Sequence, residues 1–327
     1  MSIEFTDGFD YYTSTTYGSQ IWDTYSPSTN NAGRFSGSSA FLGTSRPLIK
    51  VLTSLQTRMV AFAVYHVGAI ASITILEFID GSTVHLDLRY DSSKRLQVTR
   101  NGTVLATDTA VAVLGVWYHI QMLATIDDTV GAYDVRVNGV SILSATNVDT
   151  RNAGNASSDR VAFSGSAGGM RIDDVIILNT SGSVNNALPG DCRILTTFPT
   201  GAGATTNFTP SAGSNWQNVD DNPSNDDTDY NADSTPGDID LYTRNAVTVT
   251  GSVLAVKHSI LTRKDDAGLR QVAGLCRSGS TNFVGSTQTL GSSYAYTNEL
   301  YETDPNTSAA WTQTNLNNAQ FGVKVIA

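Results

Sequence analysis

The chain has 327 residues, of which only 15% are charged, and its formal net charge is −10. A chain of this length can form two ordinary domains or one large one, each with a sizeable core. The acidic balance excludes classes of protein that need a basic face, so we expect neither nucleic acid nor an anionic membrane surface as a partner. Only four of the 30 acidic residues are Glu. Because Asp favours turns whereas Glu favours helices, the composition predicts many turns and few helices.

Two Asn-Gly pairs, Asn101-Gly102 and Asn138-Gly139, lie between short runs rich in β-branched residues. Both central residues of a type I′ turn need positive φ, and Asn-Gly satisfies this requirement, so each pair predicts a β-hairpin. Between the hairpins, residues 117–124 form an aromatic-rich run that is typical of the middle of a sheet, and we expect Trp117 in the core. The pattern predicts an antiparallel, all-β protein.

Residues 1–182 predict one domain, a jelly-roll β-sandwich of short strands separated by turns. The candidate strands are Ser2–Phe9, Arg34–Leu42, Met59–Val67, Ala71–Ile79, Val84–Tyr90, Leu96–Arg100, Thr103–Thr107, Val116–Thr125, Tyr133–Val137, Val140–Ser144, Arg160–Ser164 and Met170–Leu178.

The strand pattern lapses after residue 178, and we place a linker at 183–188. Residues 189–327 predict a second, smaller, mainly-β domain with one short helix near Thr314–Ala319. Its candidate strands are Ala246–Thr250, Val253–Thr262, Leu269–Arg277, Asn282–Val284, Tyr294–Tyr301 and Gln320–Ile326.

A concentrated acidic stretch places eight Asp residues within 21 positions, 220–240, with no Lys or Arg among them. Loop carboxylates interleaved with Asn and Gly are candidates for chelating Ca²⁺. The candidate ligands are Asp226, Asp227, Asp229 and Asp233. The spacing is not that of an EF-hand loop. A solvated loop, or an interface loop that meets basic residues of a neighbour, accounts for the composition equally well, and Ca²⁺ is the one cofactor that we consider.

A second acidic pair, Asp173-Asp174, lies in an apolar strand, where such a pair is usually structural. Asp7 and Asp10 could close the same end of the sandwich.

Catalytic motifs are absent from the sequence. Glucanases on sandwiches of this kind carry Glu-x-Asp-x-Glu on one strand, whereas Glu77 stands alone in its strand. The four His residues lie in strand-like sequence without a nucleophile elbow or a second His at metal-site spacing. We therefore assign no catalytic residue and predict that the chain is not an enzyme.

Five aromatic residues cluster in a Ser/Thr-rich stretch near the start of the chain: Tyr11, Tyr12, Tyr17, Trp22 and Tyr25. Exposed aromatic rings at these positions could stack on sugar rings of a host surface glycan or pack on a neighbouring subunit. We favour use in the core or in an interface, because a stretch of this length needs anchors.

The sequence contains no recognisable export signal, and its most apolar run, 59–71, is too short to cross a bilayer. Cys192 and Cys276 lack metal-site spacing, and we favour two free thiols over a disulfide between them. We expect a soluble protein made in a cytoplasm, without membrane insertion.

Several segments of the first domain form a recognisable set: Asp7-Gly-Phe-Asp10, Trp117-Tyr-His-Ile-Gln121, Ile126-Asp-Asp128, Tyr133-Asp-Val-Arg-Val-Asn-Gly-Val140 and Arg171-Ile-Asp-Asp-Val-Ile-Ile177. Together they resemble concanavalin A-like (laminin G-like) jelly-roll domains over residues 1–180. Some laminin G-like domains bind calcium, but no ligand set matches cleanly in this sequence.

A second set of segments lies downstream: Leu188-Pro-Gly-Asp-Cys-Arg193, Trp216-Gln-Asn-Val-Asp-Asp221, Arg263-Lys-Asp-Asp-Ala-Gly268 and Glu302-Thr-Asp-Pro-Asn-Thr-Ser-Ala-Ala-Trp-Thr312. These segments resemble the tail module that follows the same jelly roll in a family of tailed-bacteriophage virion proteins. The resemblance implies a structural or accessory virion component: a capsid decoration or fibre protein, or a tail-tip or fibre subunit. It implies virion localisation, capsid or tail proteins as partners, and assembly as a homo-oligomer. No catalytic residue is carried over.

Three interpretations remain open. We favour a virion structural protein. A carbohydrate-binding module that mediates attachment to a host surface glycan is the alternative, and it predicts solvent-facing aromatics on one concave face. A glycan hydrolase is the least favoured, because it requires two carboxylates that converge in a cleft.

Overall fold

The computed structural model describes residues 2–12, 15–30, 32–44, 47–70, 72–165, 168–179, 181–185 and 187–327. Over these residues the protein is all-β, with antiparallel sheets and two short α-helices, as the sequence predicts. The chain divides into two compact units, Met1–Leu195 and Thr196–Ala327. The first unit thus extends beyond the linker that we placed at 183–188, because residues 190–194 are bound to it.

The first unit contains one helix, α1 (Thr15–Ile21), which we did not anticipate. Its strands are β1 (Ile3–Asp7), β2 (Thr24–Tyr25), β3 (Ser28–Asn30), β4 (Ser39–Leu42), β5 (Leu48–Leu55), β6 (Thr57–His66), β7 (Ile73–Asp80), β8 (Thr83–Tyr90), β9 (Arg95–Arg100), β10 (Thr103–Val111), β11 (Trp117–Thr125), β12 (Gly131–Val137), β13 (Val140–Val148), β14 (Ser158–Phe163) and β15 (Met170–Leu178).

These strands form two sheets that pack face to face. The first sheet has the order β13-β12-β11-β6-β15-β4-β3, with β1 also paired to β15, and the second has the order β10-β9-β8-β7-β14-β5-β2. Phe62 of the first sheet meets Phe163 of the second edge to face, with ring centroids 5.1 Å apart. His66 and Tyr90 make a similar contact at 4.8 Å. The first unit is therefore a β-sandwich of the jelly-roll-like kind.

Both predicted hairpins form at the Asn-Gly pairs. Asn101 and Gly102 have φ of +46° and +78°, and Asn138 and Gly139 have φ of +50° and +83°. The first pair joins β9 to β10 and the second joins β12 to β13. Two residues with positive φ are what a type I′ turn requires, so local sequence alone sets these two connections.

A short segment at the end of the first unit, residues 190–194, lies on the outer face of the first sheet; we call it the strap. Gln121 of β11 donates a hydrogen bond from Nε2 to the carbonyl of Gly190 at 2.7 Å. Arg34 binds both carboxylate oxygens of Asp191, at 2.6 and 2.8 Å. The strap covers Gln121, which is fully buried although it is on the outer face.

The second unit has one helix, α2 (Gln313–Asn318), close to the predicted position. Its strands are β16 (Pro199–Thr206), β17 (Thr209–Pro210), β18 (Asn231–Ala232), β19 (Ile239–Arg244), β20 (Val256–Thr262), β21 (Gln271–Ser278), β22 (Thr281–Thr289), β23 (Ala295–Tyr301) and β24 (Gln320–Val325), and a 3₁₀ turn spans Asn215–Asn218.

The larger sheet of the second unit has the order β16-β19-β24-β21-β22, and β17-β18 and β20-β23 form separate pairs. Thr312 caps α2 by accepting a hydrogen bond from the Asn315 amide. The helix places Leu316 in a buried cluster with Trp311 and Cys276. The Trp311 indole N–H donates to the Tyr301 carbonyl at 3.0 Å, which satisfies its polar group in this core.

Among the described residues, no helix has the length and apolar character that a membrane span requires.

Candidate functional site

A row of side chains crosses the outer face of the second sheet; we call it the outer row. Its members, each opposite the next in the strand ladder, are Val104, Thr99, Asp87, Glu77, Ala162 and Ile49. The neighbours of these residues along the strands, such as Phe78 and Leu86, are fully buried between the sheets. Because successive side chains on a strand point to opposite faces, the outer row points away from the sandwich interior.

Glu77 on β7 and Asp87 on β8 are opposite partners at the centre of the outer row. Antiparallel partners have Cβ atoms about 4.5–5.5 Å apart, so the two carboxyl groups are neighbours. A β-bulge creates this register: Asp80 pairs with Thr83 and Ile79 with Val84, and β8 then contains one extra residue, His85. Without the bulge Glu77 would lie opposite Leu86.

The two carboxyl groups differ in accessibility. Asp87 is only 7% exposed. Its Oδ2 accepts a hydrogen bond from the Thr99 hydroxyl of β9, whereas its buried Oδ1 has no hydrogen-bond partner. Glu77 is half-buried and therefore reachable from solvent. Asp87 thus forms the floor of the site, and Glu77 is the carboxyl group that a ligand can contact.

Electrostatics act on both groups in the same direction. Burial raises the pKa of Asp87, while the Thr99 hydrogen bond and the Arg89 charge oppose that shift. Burial also raises the pKa of Glu77, and the negative charge of Asp87 raises it further, against a smaller opposing effect of Arg89. Both carboxyl groups therefore retain a proton to a higher pH than ordinary Glu and Asp side chains do.

Hydrogen-bonding side chains flank this pair on the same face. Arg89 lies opposite Gln97 and Thr74 in the ladder, one position along the face from Asp87, and all three are half-buried. On the other side of Glu77 lies Ala162, which is only 3% exposed. The arrangement can exchange a proton and can hydrogen-bond to hydroxyl groups. Our sequence analysis missed it, because Glu77 has no acidic neighbour on its own strand.

The aromatic candidates contribute mainly to the core. Tyr12, Trp22 and Tyr25 are 0%, 1% and 8% exposed. The Tyr12 hydroxyl and the Trp22 indole N–H both donate to Asp7 Oδ2, at 2.6 and 2.7 Å. The polar groups of Tyr12 and Trp22 are thus satisfied inside the sandwich, and all three rings are buried.

The other aromatic residues are less buried. Tyr11 packs edge to face on Tyr12 with ring centroids 5.1 Å apart, and both Tyr11 and Tyr17 are half-buried. Trp117 was expected in the core, but it is half-buried against Tyr65 at 5.3 Å. The correction follows from the register, in which Trp117 pairs with Tyr65 on the outer face of the first sheet.

The acidic stretch offers no preformed cation site within the described residues, where no group of three or more His, Cys, Asp or Glu side chains converges. Asp227 is instead bound by Arg263 and by the Tyr294 hydroxyl, at 2.8 and 2.9 Å. Asp233 Oδ1 accepts from the Thr235 amide at 2.6 Å, as in an Asx turn. Asp226 and Asp229 likewise belong to no converging group of ligands among the described residues. Ca²⁺ binding in this stretch stays a prediction.

A buried network anchors the same stretch. Asp240 is fully buried, and its Oδ2 accepts hydrogen bonds from the Asn215 side chain and the Tyr242 hydroxyl at 2.8 and 2.7 Å. Asn231 donates to the Tyr242 hydroxyl at 2.9 Å and to the Asn215 carbonyl at 2.8 Å. These bonds hold Asn231, in the middle of the stretch, and Asn215, which precedes it, against β19, and they give Asp240 a structural role.

Asp173 and Asp174 form a second pair of carboxyl groups, on the outer face of the first sheet. A bulge in β15 places Asp174 at φ +52°. Asp173 accepts the backbone amides of Arg34 and Asp174 at 2.7 and 2.8 Å. Asp174 Oδ1 accepts the amide of Ile194 in the strap at 2.6 Å. Both groups therefore hold backbone in place.

Burial, and in second place the charge of Asp174, raises the pKa of Asp173 to about 8. Burial raises the pKa of Asp174 to about 6, and Arg34 at 3.5 Å opposes that shift. With 4% and 2% of their surface exposed, both carboxyl groups are closed to ligands.

The Cys and His residues show no activated pair. Both cysteines are free. Cys192 Sγ lies 3.6 Å from His119 Nε2, but burial raises the pKa of the Cys192 thiol to about 12 and lowers the pKa of His119 to about 4. Both groups are neutral at pH 7, so neither a thiolate nor a charged imidazole is available.

No family model and no curated protein matches the chain. Several solved structures are similar to part of the chain. A sialidase is 13% identical over 55% of this chain and 19% of its own length, with a TM-score of 0.39. The alginate lyase Aly36B is 10% identical over 55% of this chain and 98% of its own, with a TM-score of 0.39. The catalytic domain of a glycoside hydrolase family 131 protein from Coprinopsis cinerea is 13% identical over 58% and 99%, with a TM-score of 0.40.

These likenesses concern the fold, and they correct one expectation. We predicted from the sequence that the chain is not an enzyme, but the solved structures that share its sandwich are enzymes and catalytic domains. The exclusion rested on the lack of paired acidic residues along a single strand. The structure pairs Glu77 with Asp87 across two strands, an arrangement that such a motif search does not detect.

Proposed function

We propose that the chain is a structural or accessory component of a tailed-phage virion, either a capsid decoration or fibre protein or a tail-tip or fibre subunit. The observation that carries the proposal is the resemblance of sequence segments in both units, from Asp7-Gly-Phe-Asp10 in the first to Glu302–Thr312 in the second. The chain would be localised in the virion, with other capsid or tail proteins as partners.

The structural roles of the resembling residues support a shared architecture. Asp7 is fully buried and accepts the hydrogen bonds of two core aromatics. Asp304 is fully buried in the second unit and accepts from the Ser278 hydroxyl at 2.6 Å and the Asn315 side chain at 2.8 Å. Trp311 lies in the core beside α2. The matching residues thus stabilise the interior of each unit separately.

Free sheet edges support assembly as a homo-oligomer. The edge strand β10 has 49% and 54% exposure at Val104 and Val111, and its only charged residue is Asp108. The edge strand β13 begins with Val140, which is 64% exposed. Edges with few charges and exposed valines readily pair with another chain, and a symmetric assembly can bury them.

The test is a cryo-EM reconstruction of the source phage particle, with this chain fitted into density. Copies on the capsid lattice or at the tail would support the proposal and identify the place. Purified particles that contain none of this chain would overturn it.

The outer face of the second sheet favours a second candidate function, which is binding of a host surface glycan. Glu77, Arg89 and Gln97 present half-buried planar polar groups on one sheet face, and such groups hydrogen-bond well to sugar hydroxyls. A glycan-binding screen of the full chain tests this candidate. Binding that Arg89→Ala weakens at least tenfold, and that Asp108→Asn on the distant edge strand leaves unchanged, would support it; no bound glycan would contradict it.

A further inference from the structure

We propose that the outer face of the first sheet binds a glycan in which an acidic sugar is flanked by neutral sugars. The binding residues form a row across four strands, which we call the aromatic row. Its members, each opposite the next in the strand ladder, are Trp117, Tyr65, Arg171 and Phe41. The inference rests on the second candidate function, glycan binding, and deepens it by naming the class of glycan and a binding face on the other sheet. It is independent of whether the chain is part of a virion.

The register places the aromatic row on one face at regular steps. Its members lie on the adjacent strands β11, β6, β15 and β4. Adjacent strands are about 4.8 Å apart, which is close to the length of one sugar ring, so consecutive sugars of an extended glycan can lie above consecutive members. The ring centroids of Tyr65 and Trp117 are 5.3 Å apart, and the guanidinium carbon of Arg171 lies 5.2 Å from the centre of the Tyr65 ring.

The aromatic row is open where the rest of this sheet face is closed. The outward-facing residues two positions along the strands, His119, Ala63 and Asp173, are only 0%, 0% and 4% exposed. The strap runs along this closed line, with Cys192 Sγ 3.6 Å from His119 Nε2. The members of the aromatic row are half-buried. Exposure thus rises abruptly beside the strap, so the row is the floor of a shallow groove and the strap is one wall.

Small and apolar residues lie on the opposite side of the groove. The Tyr65 hydroxyl is beside Gly115, where a Cβ atom would be 3.6 Å from the hydroxyl oxygen. The Phe41 ring lies directly against Gly169. Val116, which precedes Trp117, is 42% exposed. This side therefore offers apolar surface to the C–H groups of a sugar ring.

Arg171 is the feature that the fold alone does not explain. Its Nε is buried and has no hydrogen-bond partner, which costs free energy in the folded chain, whereas its Nη groups are not buried. Among the described residues it forms no ion pair, and its contact is with the face of the Tyr65 ring. The nearest acidic residue on its own strand face, Asp173, is occupied by the backbone amides of Arg34 and Asp174. The groove therefore contains an uncompensated cation.

This cation selects a ligand that carries a carboxylate. The two accessible Nη groups of a guanidinium match the two oxygens of a carboxylate in geometry and in charge. The indole N–H of Trp117 and the hydroxyl of Tyr65 are further donors for sugar oxygens in the same row. A sugar carboxylate above Arg171 would supply the charge that the described residues do not.

The sugars on either side of the acidic one are neutral. Arg171 is the only basic member of the aromatic row, and its neighbours Tyr65 and Phe41 offer ring surface, on which uncharged sugars pack. The net charge of −10 repels polyanions at longer range, so a glycan with a carboxylate on every sugar is disfavoured. An isolated acidic sugar between neutral ones satisfies both conditions.

The experiment uses the full chain and linear polysaccharide probes. Hyaluronan and deacylated gellan contain glucuronates that are separated by neutral sugars. Their carboxyl-reduced forms keep the same linkages without the charge, and alginate carries an acid on every sugar. Affinity electrophoresis measures the dissociation constants. We expect hyaluronan or gellan to bind at least tenfold more tightly than its carboxyl-reduced form, because a charged hydrogen bond is lost on reduction, and more tightly than alginate.

Three variants locate the binding site. Arg171→Gln removes the charge, and we expect it to weaken binding of the acidic probe at least tenfold and to leave binding of the reduced form unchanged. Trp117→Ala removes ring surface and should weaken binding of both forms. Arg136→Gln is the matched control: it is the same substitution on the same sheet, outside the row, at a residue whose Nη2 already binds Asp134 at 2.8 Å. It should leave both affinities unchanged.

The outcomes separate this inference from the function on which it rests. Equal binding of the acidic and reduced forms, or tighter binding of alginate, overturns the ligand class and leaves glycan binding standing. Binding that Arg89→Ala weakens and Trp117→Ala does not overturns the aromatic row and keeps the face of the second sheet. No binding of any probe overturns both. Since misfolding would weaken both forms alike, the selective loss expected in Arg171→Gln is specific to the charge.

Discussion

The first unit contains two carboxyl pairs on sheet faces, and they differ in what lies above them. Asp173 and Asp174 are neighbours along one strand, and backbone amides and the strap close them off. Glu77 and Asp87 are neighbours across two strands, and within the described residues no hydrogen bond holds the Glu77 carboxyl group in the same way. Burial raises the pKa of all four groups.

The comparison shows that a raised pKa alone does not identify a functional group. In the pair Asp173–Asp174, which we call the closed pair, each carboxyl group has a structural partner, so its removal should affect folding. In the pair Glu77–Asp87, which we call the open pair, the Glu77 carboxyl group is accessible, so its removal should affect ligand binding and leave the fold unchanged. Stability measurements on single variants can separate these two kinds of site.

Replacement of Arg34, the basic residue beside the closed pair, should have the largest effect on stability. The Arg34 side chain is only 9% exposed, and it binds Asp191 and the Cys192 carbonyl and lies near Asp174. Arg34→Ala leaves buried carboxyl groups without compensation, and we expect the first unit to lose about 3 kcal/mol of unfolding free energy. Urea unfolding measures the loss. Arg34→Lys keeps the charge but not the paired hydrogen bonds, so it should lie between; an unchanged midpoint for Arg34→Ala would contradict the role of the strap.

Replacement of a carboxyl group in the closed pair should have the next largest effect. Asp174→Ala loses the hydrogen bond to the Ile194 amide and places Ala at φ +52°, and we expect a loss of about 2 kcal/mol. Asp174→Asn is the matched control, because Asn tolerates that conformation, and it should lose less. Faster proteolysis within residues 190–194 should accompany the Ala variant.

Raised pH should lower the stability of the first unit through the closed pair. The pKa of Asp173 is raised to about 8, so the folded chain binds a proton there that the unfolded chain has lost, and stability falls as the pH rises through that value. His66, His119 and His258, with pKa values lowered to about 4, affect stability only below their ordinary value of 6.5. Between about pH 6.5 and 7.5 the downward slope should approach about 1.4 kcal/mol per pH unit, and it should level off above about pH 8, where both states have lost the proton.

Urea midpoints across this range measure the slope, and Asp173→Asn should flatten it. Asp10, Asp174 and Arg34 act on Asp173, so the variant tests the whole group. A slope that persists in Asp173→Asn would assign it to other residues.

Replacement of Glu77, the accessible member of the open pair, should have the smallest effect on stability. Glu77→Gln relieves a like-charge contact and breaks no hydrogen bond of the described structure. We therefore expect the unfolding free energy to change by no more than about 0.5 kcal/mol, as a gain rather than a loss. The measurement is the same urea midpoint. A loss as large as that of Asp174→Ala would show that both pairs are structural and would remove the contrast between them.

Much of the fold could be predicted from local sequence. The Asn-Gly hairpins are correct because two adjacent residues determine a type I′ turn. Helix α2 is correct because Thr312 provides an N-cap. β16 escaped prediction because Gly, Ala and Thr dominate its sequence and lack a strand signal. Ala246–Thr250 reads as a strand but forms none in the structure, where the Asn317 and Gln313 side chains bind the backbone of Val247 and Val249.

The candidate site could not be predicted, and the reason is specific. The Asp80-Gly81 turn is visible in the sequence, but a count outward from the turn pairs Glu77 with Leu86. Only the extra residue His85 shifts the register so that Asp87 lies opposite. Bulges depend on tertiary packing and leave no reliable local signal. The strap escaped for a similar reason, because its anchors Arg34 and Gln121 are distant in sequence.

The pairing of β1 with β15 also determines when the first unit can finish folding. Ile3 lies opposite Leu178, so β1 acquires its partner only after the intervening residues of the unit have been synthesised. The hairpins can form earlier, since their partners are adjacent in the chain. Closing so long a loop is slow, and until then the edge of the nascent sheet stays open to other chains. Synthesis of this protein should therefore depend on protection of the waiting strand, by a chaperone or by low local concentration.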